Sequence, residues 1–504
     1  MNERLAKISV DRYTWINASR NVEVTPRRFF FPADVEDLRL IVREAESRGL
    51  RVRAVGSGHS YSEAPKGQDF LLSMKKMRGL QKTDPATLRS AWRDRHLVSA
   101  GAGTILKRLT RRLDAMGLAL TNMGAVDFQT ISGAMLTGTH GTGIAKPAVP
   151  DMVRSVRMVA TGGELLQIEP LQGMTDPVLH AAAHPDLRLI QDDAVFHNVI
   201  LGFGATGIIY ELTLEVEPQF WMQERRTLVD WQDLRAALLD GSFMEKVRGT
   251  DFVAFRVNPY AVKGKHRCAI VEQTIVDRSQ QPRGLHARMR NIFATVLGNI
   301  EYLVENTIRK LQLKPEGVKK TIQLALWSTK DMSYFGKSHR VLYQSGNAVI
   351  RYGISAEFAF PAHAEKIVEV IEAIFVQAER NAAEAGLYQS AHIPVRFVAP
   401  SQALLSSAYG RETAYIDVPL LFGTVGDIEI LEGYQEMMIR LGGIPHWGKH
   451  NTRLYQHHDF IRAQFARLDD WIEVRDRLDP RGTFLNDFVR QMGLTRLPEI
   501  IPGP

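Results

Sequence analysis

Gly56-Ser57-Gly58-His59-Ser60 sets a histidine inside a turn that two glycines allow to bend sharply. Such a turn brings backbone N–H groups close to an anion, as a diphosphate requires, and Ser57 and Ser60 add hydroxyl donors. A histidine in that turn is within reach of whatever the phosphates anchor. By itself the segment fits a tight turn with a solvent-facing histidine equally well. The second glycine-rich segment, Gly133 to Gly143, changes the balance. It holds four glycines and three threonines around His140 (Gly133, Thr137, Gly138, Thr139, Gly141, Thr142 and Gly143). Few structural needs call for so much small and hydroxylated backbone, whereas a cofactor lying against the chain does. Two anion-cradling turns suit one extended ligand with a diphosphate at its middle.

The elements that must hold these turns are legible on either side of them. Arg28 to Phe31 reads as a strand closed by Pro32. Val35, Leu38, Ile41, Val42 and Ala45 recur at helical spacing up to Gly49, and Arg51 to Val55 is a second strand running into the first turn. The unit partly repeats, with a strand at 96–100, a helix at 105–116 and a short strand at 118–120, before the second turn, expected over 133–143. From Val153 the pattern becomes antiparallel, with strands at 153–160 and 165–168 around Thr161-Gly162-Gly163. Gly202-Phe203-Gly204-Ala205-Thr206-Gly207 matches the GxGxxG spacing for dinucleotides, but that fingerprint needs a helix immediately after it. Residues 208–217 alternate with period two instead, so a strand is predicted and a Rossmann site is rejected.

Residues 218–445 read as a second domain of strands and longer helices. Within it Ile292, Phe293, Val296, Leu297, Ile300, Leu303, Val304, Ile308 and Leu311 form an apolar helical stripe flanked by arginines and lysines. A helix packed on its own domain is the plain reading; a surface helix touching an anionic membrane or a partner subunit is the sharper one. The 504 residues are 45% hydrophobic and 24% charged, which fits a globular protein of two domains. One cysteine, Cys268, excludes an internal disulfide framework and any cysteine-built metal or iron–sulfur site. No stretch reaches the roughly 18 apolar residues that would span a bilayer, and a cytoplasmic location is the expectation. The net charge of +7 is spread along the chain, so nucleic acid is not an expected partner. Neither a GxSxG elbow nor an HExxH motif is present, which disfavours a hydrolase.

These segments resemble the PCMH-type FAD-binding domain of the vanillyl-alcohol oxidase superfamily, in its aldonolactone oxidase branch, which includes gulonolactone and arabinonolactone oxidases and alditol oxidases. Arg53 to Ser60 resembles the family's first flavin loop, Gly133 to Gly143 its second, and Leu201 to Val216 the glycine turn and strand that end its N-terminal flavin-binding portion. Near the other end of the chain, Pro445-His446-Trp447-Gly448-Lys449 and Leu478 to Asn486 resemble its C-terminal signatures. The resemblance implies an α+β, two-domain flavoprotein. Residues 1–217 would form the N-terminal portion of its FAD-binding domain, which has two α/β subdomains. A mixed sheet-and-helix substrate (cap) domain would follow at 218–445, and 446–504 would return to the flavin site.

It also implies FAD held by Gly56, Ser57, Gly58, His59, Ser60, Gly133, Thr137, Gly138, Thr139, His140, Gly141, Gly207 and Ile208, with a covalent bond from His59 to the flavin's 8-methyl carbon. Lys449 matches the lysine that faces the substrate and stabilises a developing alkoxide. His446 is a hydrogen-bond partner or base, and Glu357 and Arg396 are substrate contacts. Ser355 departs from the family pattern, which carries a glutamate there; this puts a standard sugar lactone in doubt. No metal is expected, although His450, His457 and His458 follow closely. The implied reaction oxidises a CH–OH group of a lactone, alditol or related polyol. Oxygen is the implied acceptor, with Gly133 leaving room for it. The alternatives are a same-fold dehydrogenase serving a membrane quinone or cytochrome, and a non-catalytic basic binding protein.

Overall fold

Residues 3–281, 301–327, 330, 333–343 and 352–496 are described by the computed structural model. Among the described residues three large sheets, beside two two-stranded ones, carry the chain. The first forms where the sequence is most explicit. Asp34 caps the helix Val35–Ser47 by accepting the N–H of Asp37, and Leu38, Ile41, Val42 and Ala45 are buried along one face. The strands Arg28–Phe30, Phe70–Ser73 and Val52–Val55 run parallel in that order, with Ser9–Val10 antiparallel at the edge.

The second sheet has six strands among the described residues. In it Ile208–Glu215 lies between Val153–Val159 and Leu97–Gly101, antiparallel to both. The expected strand after the GxGxxG pattern is therefore present, and no helix meets those glycines. Gly207 has φ of +154°, and a Cβ there would sit 2.3 Å from Met158 Cε and 2.7 Å from the carbonyl oxygen of Val159. Its smallness is explained by this close packing.

The third sheet is antiparallel and spans the middle of the chain. Among the described residues its eight strands run in the order 333–337, 221–230, 267–276, 252–257, 393–398, 413–421, 353–361, 444–445. The last, Ile444–Pro445, adds an edge that continues through two backbone bonds, His446 N–H to Glu357 O (2.9 Å) and His450 N–H to Ser355 O (2.8 Å). Thr142 stitches this sheet to the second glycine-rich segment, accepting the N–H of Phe397 and donating to the carbonyl of Val253. Of the basic apolar stripe expected at 292–311, residues 292–300 lie outside the described residues, and Glu301–Leu313 is helical. No helix among the described residues is long and apolar enough to cross a membrane.

The last described residues fold back onto the first sheet. Val52 N–H reaches Thr483 O at 2.8 Å, and Asn486 Nδ2 donates to the carbonyls of Ala64 (2.9 Å) and Lys66 (3.0 Å). Asn486 also caps Asp487–Gln491 by accepting the N–H of Val489. Asn486→Ala would strand the Lys66 carbonyl and remove the cap, while Ala64 O keeps the Arg53 guanidinium. It is expected to lower stability by about 1–3 kcal/mol, read as a lower urea midpoint with an unchanged m-value.

Candidate active site

The strand Val52–Val55 delivers the chain into the first glycine turn, where Gly58 adopts φ of +75°, a conformation L-residues avoid. Gly56 is needed for space, since a Cβ there would lie 2.2 Å from Thr130 Oγ1. Among the described residues, the backbone N–H groups of Ser57, Gly58, His59 and Ser60 find no protein acceptor. Consecutive unspent donors beside a left-handed glycine make an anion-binding concavity, which fits a cofactor diphosphate. His59 is partly buried with its ring centroid 6.2 Å from that of Phe128, and burial lowers its pKa to about 4. The ring is thus neutral near pH 7, with a nitrogen lone pair available.

The second segment is not the continuous turn its glycines suggest. Ile131–Leu136 is a short helix, capped by Thr130 Oγ1 accepting the N–H of Gly133 at 3.3 Å. Ile131, Ala134 and Met135, at helical spacing, bury its face, and this packing outweighs the flexibility of Gly133. A Cβ at Gly133 would meet only Thr130 Oγ1, at 2.9 Å. Thr137 Oγ1 donates back to Gly133 O, Gly138 takes φ of +74°, and Thr139 Oγ1 accepts from Gln129 Nε2. At Gly141 a Cβ would collide with Asn122 Oδ1 at 2.2 Å. Thr130 therefore links both glycine segments, abutting Gly56 on one side and capping the helix on the other.

The charged groups come from the third sheet. Glu357 stands opposite Asp417, and Arg396 opposite Tyr415, so period-two alternation puts Ser355, Glu357, Arg396, Tyr415 and Asp417 on one face. Lys449 reaches over this face from the edge beyond Pro445. Its Nζ lies 2.9 Å from Ser355 Oγ, 3.1 Å from Asp417 Oδ2 and 3.3 Å from Glu357 Oε2. Arg396 Nη2 is 2.5 Å from Glu357 Oε1 and 3.7 Å from Asp417 Oδ2. His140 stacks on Tyr415, with centroids 3.8 Å apart, and its Nε2 is 3.5 Å from Glu357 Oε1. The cluster meets the first glycine turn at Gly448, whose carbonyl accepts the Tyr61 N–H (2.8 Å) and the Ser60 hydroxyl (3.2 Å).

Burial and charge divide the two acids. Burial opposes ionisation of Glu357, but Arg396, Lys449 and His140 outweigh it and hold its carboxyl well below the usual range. Burial raises Asp417, and Glu357 adds to the rise, beyond what Lys449 and Arg396 offset. Lys449 and Arg396 are raised despite burial, because Asp417 and Glu357 face both. Burial drops His446 to about 3, leaving it neutral. Its Nδ1 accepts the N–H of Gly448 at 3.1 Å, which assigns the proton to Nε2 and makes that nitrogen a donor. Of the two roles expected for His446, hydrogen-bond partner and base, this geometry serves the first. His140, Glu357 and His446 lie close enough to hold a metal, yet Arg396 and Lys449 already supply the positive charge that a dication would bring.

The structure thus gathers Glu357, Arg396, His446 and Lys449 with His140, which the sequence suggested for the cofactor and the fold sets against Glu357. Gly56 to Ser60 and Gly133 to Thr137 converge beside them. Gly207 and Ile208 sit at the start of a strand against Met158 and Val159. Sequence reasoning missed Asp417. Its signal was a lone acid between Ile416 and Val418 in an otherwise apolar strand.

Comparison with known proteins agrees with this geometry. Residues 26–169 match the FAD binding domain family, and residues 212–492 match the D-arabinono-1,4-lactone oxidase family. An L-gulono-1,4-lactone dehydrogenase of Mycobacterium tuberculosis is 28% identical over 485 residues, covering 95% of this chain and 98% of the relative. An alditol oxidase of a Streptomyces species is 24% identical, covering 94% of this chain and 98% of the relative. Among solved structures, a cholesterol oxidase from B. sterolicum superposes with a TM-score of 0.76 at 15% identity, covering 98% of both chains, a likeness of fold.

Proposed function

This chain belongs to the D-arabinono-1,4-lactone oxidase family, and from that premise we propose that it is an FAD-dependent oxidoreductase acting on a CH–OH group of a sugar lactone, alditol or related polyol. One observation carries the reading. The one-faced set of Ser355, Glu357, Arg396, Asp417 and Lys449 is tied through Gly448 to a turn with unspent N–H donors. FAD, when bound, supplies a two-electron acceptor for the hydride that leaves carbon. Ser57 to Ser60 would hold its diphosphate, with Gly133 to Thr137 alongside.

In this mechanism the chain's own groups bind and polarise the alcohol. Lys449, fixed by Ser355, Asp417 and Glu357, places a cation at the oxygen that becomes negative as hydride departs. His446 donates from Nε2 to a neighbouring oxygen, and Arg396 donates to the reacting hydroxyl and so orients it. The test is anaerobic mixing of the purified holoenzyme with L-gulono-1,4-lactone and an alditol series. Bleaching of the flavin's visible band is expected with at least one, and a band that none of them bleaches defeats the reading. The acceptor in this reading is molecular oxygen, so turnover is expected to consume oxygen and release peroxide. Turnover with a quinone or cytochrome alone would replace oxygen with an electron-transfer partner.

His59 is proposed to carry the flavin through a ring nitrogen bonded to the 8-methyl carbon, which its neutral ring inside the cofactor turn supports. Acid precipitation of the wild type is then expected to leave the yellow colour in the pellet, and that of His59→Ala to release it to the supernatant. Colour in the wild-type supernatant would exclude the bond and leave FAD held by the turn alone.

A further inference from the structure

We propose that Asp417 accepts the hydroxyl proton of the substrate, a role that rests on the oxidoreductase reading above. The geometry points to it through two unfilled hydrogen-bond positions on one face of the sheet. Asp417 Oδ2 is held by Lys449 Nζ at 3.1 Å, while Oδ1 is buried without a partner. Arg396 Nε, facing the same cluster, is also buried without a partner. Buried polar atoms are almost always satisfied in a folded protein, so an acceptor and a donor both left unfilled on one sheet face point to a missing ligand group. Its polarity is that of a hydroxyl, with O–H toward Asp417 Oδ1 and a lone pair toward Arg396 Nε.

The other bases of the cluster are occupied. Arg396, Lys449 and His140 engage both oxygens of Glu357. His446 has spent Nδ1 on Gly448, and His140 faces the Gly141 carbonyl with Nδ1 and Glu357 with Nε2. Tyr61 and Tyr415 are raised above their ordinary values, chiefly by burial, and so keep their protons. The charged and titrating groups that face Asp417 are Lys449, Glu357, Arg396 and Tyr61. Their sum leaves it a stronger base than an exposed aspartate.

The step balances as follows in atoms and electrons. The substrate O–H bond breaks, and its proton joins Asp417 Oδ1. The electron pair left on oxygen closes the C=O bond, and the hydrogen on carbon leaves with its own pair to the bound flavin, the oxidant. Asp417→Asn keeps the shape and removes the base. Its anaerobic bleaching by the lactone or alditol that reduces the wild type is expected to slow by about 10²–10³-fold. The acidic limb of the wild-type pH profile, where protonated Asp417 cannot accept, should vanish. Calorimetric affinity of the holoenzyme for the oxidised product, which has no such proton to give, should not fall by more than about threefold, since ionised Asp417 makes no hydrogen bond to the product carbonyl that the substitution could remove. Formate should restore part of the rate of Asp417→Ala.

Bleaching of Asp417→Asn within a few-fold of wild type would overturn the assignment. So would an equal loss of product affinity without rescue by formate, which would make Asp417 a positioning residue for Lys449. A wild type that no lactone or alditol bleaches would instead remove the functional reading on which the assignment rests.

Discussion

Glu357→Gln is expected to destabilise the protein by about 3–5 kcal/mol, because it removes the anion that compensates two buried cations while leaving both in place. Arg396 and Lys449 would then share only Asp417, which burial already resists charging. The measurement is a urea or thermal melt of the holoenzyme, and a loss under about 1 kcal/mol would mean that the pair is solvated and acts as a surface pair does. The pH dependence has a definite sign. The folded carboxyl of Glu357 is depressed, so its contribution is complete above the unfolded value of about 4.3 and fades as pH falls through the folded value. The gap between wild type and Glu357→Gln should therefore be constant near neutrality and narrow only in acid. Asp417 acts oppositely, since a raised carboxyl costs stability while ionised and returns it on protonation.

Lys449→Met should lower the rate of substrate oxidation by about 10²–10³-fold, the loss found when one preorganised donor to a developing oxyanion is removed. Methionine keeps all but the last atom of the side chain, so Tyr61, whose ring lies 5.8 Å from Nζ, retains most of its packing. Removing the cation also leaves Glu357 and Asp417 with Arg396 as their main counter-charge. Asp417 is then expected to titrate higher still, and the residual activity to shift toward alkaline pH. A melt within about 1 kcal/mol of wild type would separate this effect from unfolding. Activity within a few-fold of wild type would remove Lys449 from the chemistry.

The sequence was most informative where chemistry and local conformation demand the same residues. Asp34 and the 3.6-residue spacing after it set the first helix, and alternation after Gly207 separated a strand from a Rossmann helix that spacing alone suggested. Gly56 and Gly58 were recognisable because nothing larger or less permissive fits. Long-range register was the hidden part. Asp417 becomes a partner of Glu357 only because strands 353–361 and 413–421 pair, and no local pattern announces that alignment. It brings a second acid to the face on which Ser355 and Glu357 stand. His140 shows the same limit. Its place in a glycine-rich segment suggested the cofactor, and only the fold reveals that it also stacks on Tyr415 and faces Glu357. Gly133, expected in a turn, lies in a helix because the cap at Thr130 and the apolar residues beside it dominate.

The bond from Ser60 to Gly448 spans 388 positions of sequence. On the ribosome, the turn that would cradle the diphosphate emerges early, while the carbonyl that anchors it is still untranslated. The site is therefore assembled late, by closure of a very long loop, a kind of contact that slows folding. Chains cut short before residue 448 would present the unspent N–H groups without the wall that fixes them. Retention of the prosthetic group is then expected to report on docking of the last segment as well as on the turn itself.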